Sequence, residues 1–114
     1  MKPHWILLAN AAYARLLQQN EGSAPVIVQG FSHSPGRGNE AHRFAQELAE
    51  HMERNAQLGN FGSLAIFAPN PFLRELSDRL GPATLRLLGG THGVDLTAVG
   101  PAELQRRIAY ELAQ

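Results

Sequence analysis

This sequence predicts a mixed α/β fold over residues 1–114, read as a single domain with one sheet and flanking helices. Three observations predict it. The first third of the chain holds closely spaced runs of strand length. The apolar period then changes to that of a helix after residue 39. From there to the end, short apolar runs alternate with helical patterns.

Trp5-Ile6-Leu7-Leu8-Ala9-Asn10 is a short apolar run, broken by the small residues Ala11-Ala12, and reads as the first strand. Tyr13 to Gln19 has helix-favouring Ala, Leu, Arg and Gln, yet it is one short segment ending in Asn20-Glu21-Gly22-Ser23 turn chemistry. A strand is the preferred reading there, with helix the alternative. Pro25 to Phe31 carries three β-branched residues in succession and reads as a third strand. The short links make these three an antiparallel meander.

Ser32 to Gly38 reads as a loop. Beyond it Ala41, Phe44, Ala45, Leu48, Ala49 and Met52 recur at three- and four-residue steps, with Asn39 as N-cap and Gly59 as stop. The facing acids Glu47, Glu50 and Glu53 read as a solvated helix surface. Leu64 to Ala68 is the next strand. Asn70 is expected to cap a helix that begins at Pro71, buries Phe72, Leu73, Leu76 and Leu80, and ends at Gly81-Pro82. Leu85 to Leu88 fits either a last strand or continued helix after Pro82, and Gly89-Gly90-Thr91-His92-Gly93 is expected to be a turn. Gly100-Pro101 opens a final helix with Leu104, Ile108 and Leu112 at four-residue steps. The predicted order is β-β-β-α-β-α-(β)-α.

A chain of 114 residues buries roughly 65% of its unfolded surface, enough for a core without staples. The absence of cysteine removes disulfides and thiolate metal sites, and fits a reducing compartment. The run Trp5 to Ala9 is too short for a signal peptide or a membrane span, so a cytoplasmic location without membrane association is expected. Ten basic residues balance ten acidic ones, which excludes the broad basic footprint of most nucleic-acid binders. Any anion site must therefore be local.

The best local candidate is Gly36-Arg37-Gly38-Asn39-Glu40, with Arg43 one turn on. Glycines at a loop-to-helix junction expose consecutive N–H groups, and a helix N-terminus adds partial positive charge, so the pair suits an anionic group. Other chemistries find less support. Two-metal nuclease chemistry needs clustered carboxylates, whereas the first strand ends in Asn10. Asp95, after Gly93-Val94, reads as a turn or capping residue. His42 and His51 miss the spacing of a helical zinc pair, and His33, His42 and His92 come from separate segments, so neither a metal nor another cofactor is expected. Gly89 to Gly93 lacks the lysine of a phosphate-binding loop, and no serine has a nucleophile-elbow context.

Several stretches in order resemble the bacterial host attachment protein family, a distant relative of the central domain of archaeo-eukaryotic class-I release factors. They are the opening Trp-Ile-Leu-Leu-Ala with Ala14-Arg15, the helix His42 to Ala49, Leu64 to Pro69, Phe72-Leu73, and Asp95-Leu96-Thr97. The resemblance implies a ribonuclease H-like domain. It also implies a correspondence between Gly36-Arg37-Gly38-Asn39-Glu40 and the release-factor run Gly-Arg-Gly-Gly-Gln, which precedes an Arg-Phe pair matched here by Arg43-Phe44. Asn39 stands at the second glycine and Glu40 at the glutamine. A carboxylate there is repelled by RNA phosphates, so peptidyl-tRNA hydrolysis is not expected and no catalytic residue is assigned. The expectation is a noncatalytic intracellular module that contacts ribosomal or transfer RNA, or the ribosome, through Gly36, Arg37, Gly38, Asn39, Glu40 and Arg43. The alternatives are a protein-interaction module, with a protein partner or as a homodimer, acting indirectly in host attachment or stress, and a hydrolase built on Glu40 and His42.

Overall fold

The computed structural model describes residues 2–32 and 40–113. The strands are β1 (His4–Ala9), β2 (Tyr13–Gln19), β3 (Val26–Ser32), β4 (Ser63–Phe67) and β5 (Leu88–His92); the helices are α1 (Glu40–Gln57), α2 (Phe72–Arg79), α3 (Pro82–Leu87) and α4 (Pro101–Leu112). One sheet holds the strands in the order β3-β2-β1-β4-β5. The first three pair antiparallel, and β1 pairs parallel with β4, which pairs parallel with β5. Tyr13 to Gln19 is thus a strand. Its neighbours supply ladder partners on both sides, and this outweighs the helical propensity of Ala, Leu, Arg and Gln.

Alternation along β1 splits the core into two layers. Trp5, Leu7 and Ala9 face α1 and α2 with Leu64, Ile66, Phe44, Leu48, Met52 and Leu76. Ile6 and Leu8 face the other way, onto Leu96 and the α4 residues Leu104 and Ile108. The five buried positions of α1 are Phe44, Ala45, Leu48, Ala49 and Met52, the stripe its periodicity requires. Gly59, at φ +75°, lies beyond the last turn, where a side chain would be strained.

Three local expectations are corrected. Leu85 to Leu87 belong to α3, and the strand begins only at Leu88, so Gly89 to His92 form β5 and not a turn. The parallel ladder to β4 provides the partners that override glycine's weak strand preference. Pro71, joined to Asn70 by a cis peptide, occupies the N-cap of α2; no side chain caps that end, so Asn70 is not the cap and the helix starts at Phe72. Glu53 is not simply a solvated acid. Its carboxylate accepts the N–H groups of Ala83 (3.2 Å) and Thr84 (2.9 Å) and the Thr84 hydroxyl (3.0 Å), which caps α3 from the side of α1. The Asn39 cap lies outside the described residues.

Candidate functional site

At the carboxyl ends of β1 and β4 the chain leaves the sheet through Asn10-Ala11-Ala12 and Pro69-Asn70-Pro71. The first turns of α1 and α2 stand beside these loops. Together they enclose a cleft of about 740 Å³, within the size range of ligand sites. Its apolar wall comes from Ala11, Ala12, Ala41, Pro69, Pro71 and Phe72; Asn10, Asn70, His42, Arg74, Glu75 and Asp78 supply the polar positions.

Asn10 is fixed by an unusually complete set of bonds. Its Oδ1 accepts the N–H groups of Ala12 and Tyr13, both at 2.8 Å, and its Nδ2 donates to Asp95 (3.1 Å) and Thr97 (3.0 Å). Asp95 in turn accepts from the Thr97 N–H (2.9 Å) and hydroxyl (2.6 Å), the turn role read from the sequence. Partial burial pushes the Asp95 carboxyl upward. The Thr97 and Asn10 hydrogen bonds and the nearby Arg15 charge outweigh it and hold the group below its ordinary value. Arg15 donates to the carbonyls of Leu96 (2.9 Å) and Val99 (3.2 Å), while its buried Nε has no partner among the described residues. Asn10, Arg15, Asp95 and Thr97 therefore clamp the loop ahead of α4 onto the β1–β2 turn. Sequence reasoning saw these residues singly. The only signal that joined them was the family pattern containing Ala14-Arg15 and Asp95-Leu96-Thr97.

Across the cleft His42 on α1 contacts Glu75 on α2 through Nδ1 and Oε1, and Glu75 also meets Arg79 at 3.4 Å. Glu40, partly buried at the start of α1, lies 3.9 Å from Arg43, whose side chain is 73% exposed. Glu40 and His42 are two residues apart on one helix and so project from different sides. The hydrolase pairing thus has no geometric support, although a His–carboxylate pair does exist between His42 and Glu75. Among the described residues that line the cleft, His42, Glu75 and Asp78 are the titratable side chains besides Arg74. Gly36, Arg37, Gly38 and Asn39, the centre of the predicted anion site, lie outside the described residues. Of that set the described residues are Glu40 and Arg43, which stand 3.9 Å apart on the first turn of α1; neither lines the cleft, whose α1 residues are Ala41 and His42.

The other histidines have separate settings. His4 is bonded to Ser63 (2.5 Å) and lowered by burial. His51 packs edge-on against Phe31 and is lowered by burial and then by Arg54, while His92 stacks on Phe67.

This architecture is shared with parts of several solved structures. It is similar to an archaeal protein (12% identity, TM-score 0.62, 97% of this chain and 38% of that one) and to the archaeal translation termination factor aRF1 (12%, 0.55, 97% and 39%). It is also similar to S. cerevisiae Dom34, a translation termination-like factor involved in RNA quality control pathways and interacting with Hbs1 (10%, 0.59, 96% and 36%). The chain spans less than two fifths of each of these proteins, and at such identities the likeness is one of fold. A comparison with curated protein sequences gave no match. The family described as "Protein required for attachment to host cells" matches residues 28–108, and the chain belongs to that family.

Proposed function

We propose that this protein is a noncatalytic module that contacts RNA, ribosomal or transfer, through Gly36, Arg37, Gly38, Asn39, Glu40 and Arg43, together with the cleft beside the first turns of α1 and α2. The observation that carries this reading is the apolar cleft at the α1 and α2 N-termini, with the exposed arginines Arg43 and Arg74 on those first turns. Single-stranded RNA is held by such pairings, because an unstacked base needs an apolar wall while phosphates need cations and N–H donors. Phe72, Pro69 and Pro71 offer the wall, and Arg37, Arg43 and Arg74 the cations. The fold's likeness to translation termination factors supports the same direction. An intracellular location belongs to this reading.

The test is equilibrium binding of a structured RNA with a single-stranded loop, measured at about 50 and 200 mM salt. Arg37→Ala and the pair Arg43→Ala with Arg74→Ala are each expected to weaken binding roughly fivefold to tenfold. No ribosome or RNA association at the lower salt would reject the proposal.

A further inference from the structure

We propose that the cleft takes a single unstacked guanine of the bound RNA, with its donor edge on the Asp78 carboxylate and its acceptor edge on the Asn70 amide. The assignment rests on the RNA contact proposed above and narrows it to one base.

The polar groups of the cleft divide into those already engaged and those left open. Asn10 is committed to Ala12, Tyr13, Asp95 and Thr97, and Glu75 is held by His42 and Arg79. Among the described residues the side chains of Asn70, Arg74 and Asp78 have no hydrogen bond or ion pair, and all three are exposed. Arg74 and Asp78 are four residues apart within α2, so they share a face, about 6 Å apart along the axis, and still do not pair with each other. Asn70 precedes them in the turn where the Leu73 N–H bonds to the Pro69 carbonyl at 2.9 Å. An amide, a cation and a carboxylate therefore follow one another along one wall of the cleft.

Guanine is the base that matches this order. Its N1–H and N2–H groups stand side by side and fit the two oxygens of a carboxylate, while O6 and N7 accept from an amide. Adenine and cytosine offer one amino group beside a ring-nitrogen acceptor, and uracil offers one N–H between two carbonyl oxygens. Each of these turns a lone pair toward Asp78, which leaves a carboxylate oxygen unmatched. Arg74, between the two reading groups, is placed for a phosphate of the same strand. Ala11, Pro69 and Pro71 supply apolar surface for the ring faces, and about 740 Å³ is room enough for a nucleotide. The position fits as well. The sheet order reverses at β1, with β2 and β3 on one side and β4 and β5 on the other, and open sheets take ligands outside the carboxyl ends of their strands at such a point.

Fluorescence anisotropy tests this with labelled RNA hairpins whose single-stranded loop is uridine except at one central position. Guanine there should bind the full chain roughly tenfold more tightly than adenine, cytosine or uracil. Inosine, which is guanosine without the N2 amino group, should lose most of that advantage. Asp78→Asn presents an amide to the same edge and should bring guanosine and inosine to within about twofold of each other. Asn70→Ala should do the same for guanine against 7-deazaguanine, which lacks the N7 acceptor. The inosine comparison on the unsubstituted chain decides by itself should either variant fail to fold. Equal affinity for the four bases, indifference to inosine, or a preference that survives Asp78→Asn would overturn the guanine assignment and leave the RNA contact standing. No binding of any hairpin would remove the RNA contact. Guanosine monophosphate competing as well as the guanine hairpin would put a free nucleotide in the cleft and overturn the RNA source.

Discussion

Arg15 spends its guanidinium on two backbone carbonyls, Leu96 and Val99, in a loop more than eighty residues away in sequence. Arg15→Met keeps the aliphatic stem but strips both carbonyls of a charged donor. A loss of about 1–3 kcal/mol in denaturant unfolding is expected, the range for orphaned partly buried acceptors. Glu53 makes the corresponding contact on the other side of the sheet. The Thr84 backbone N–H is the chief cause holding its carboxyl below the ordinary value; burial opposes, and Gln57, the Thr84 hydroxyl and the Ala83 N–H assist. A carboxylate depressed in the folded state stabilises fully above its unfolded pKa, and that contribution disappears as pH falls through the folded value. The loss therefore begins near 4.5 and continues below it. Asp95 titrates in the same direction, from near 3.8 downward. Melting temperatures recorded from pH 7 to pH 3 should fall less steeply with acid for Glu53→Gln than for the unsubstituted chain, and parallel curves would reject the capping role.

Among the helices, α4 is the most lightly held, because only Leu104 and Ile108 of its 12 residues are buried, the smallest share of the four. Ile108→Ala is expected to cost about 2–4 kcal/mol and, in amide exchange, to release α4 ahead of the sheet. Uniform loss of protection across the molecule would show instead that α4 unfolds only with the whole. The ease of reading each element from sequence follows from where its determinants lie. The stripe of α1 and the apolar runs of β1 and β4 are local patterns, so they were legible. β5 was not, because Gly89 and Gly90 carry no strand signal and its place is set by the neighbouring β4. Likewise Glu53 looked like one acid among three on a wet face; its role depends on Gly81-Pro82 beginning α3 thirty residues on. Gly81 makes that dependence testable. A Cβ there would sit 2.5 Å from the Glu53 carboxyl carbon, so Gly81→Ala should displace the carboxylate and lower the melting temperature, with little further loss when Glu53→Gln is added. Additive losses would show that the glycine and the carboxylate act separately. The cleft was not legible: the loop-to-helix setting pointed to Glu40 and Arg43, which do not line it, and it arises only when Asn10, Pro69 and Phe72 converge from three segments.

For the molecule as a whole, the balanced charge decides what kind of RNA contact is open to it. Ten basic and ten acidic residues produce no general attraction for a polyanion, and acids stand beside the arginines: Glu75 and Asp78 line the cleft with Arg74, and Glu40 lies 3.9 Å from Arg43. Binding by the proposed surface must then rest on few phosphates, with base contacts against the apolar wall providing the rest. Counterion release makes this quantitative. Each phosphate neutralised on a single strand contributes about 0.7 to the slope of log affinity against log salt, so contacts from Arg37, Arg43 and Arg74 predict a slope of about −2. Arg43→Ala should make it shallower by about 0.7, while Ala11→Gln, which puts an amide on the exposed apolar wall but changes no charge, should weaken binding at every salt without changing the slope. A slope several times steeper would mean a wide electrostatic footprint that this charge distribution does not offer, and would move the contact away from the cleft.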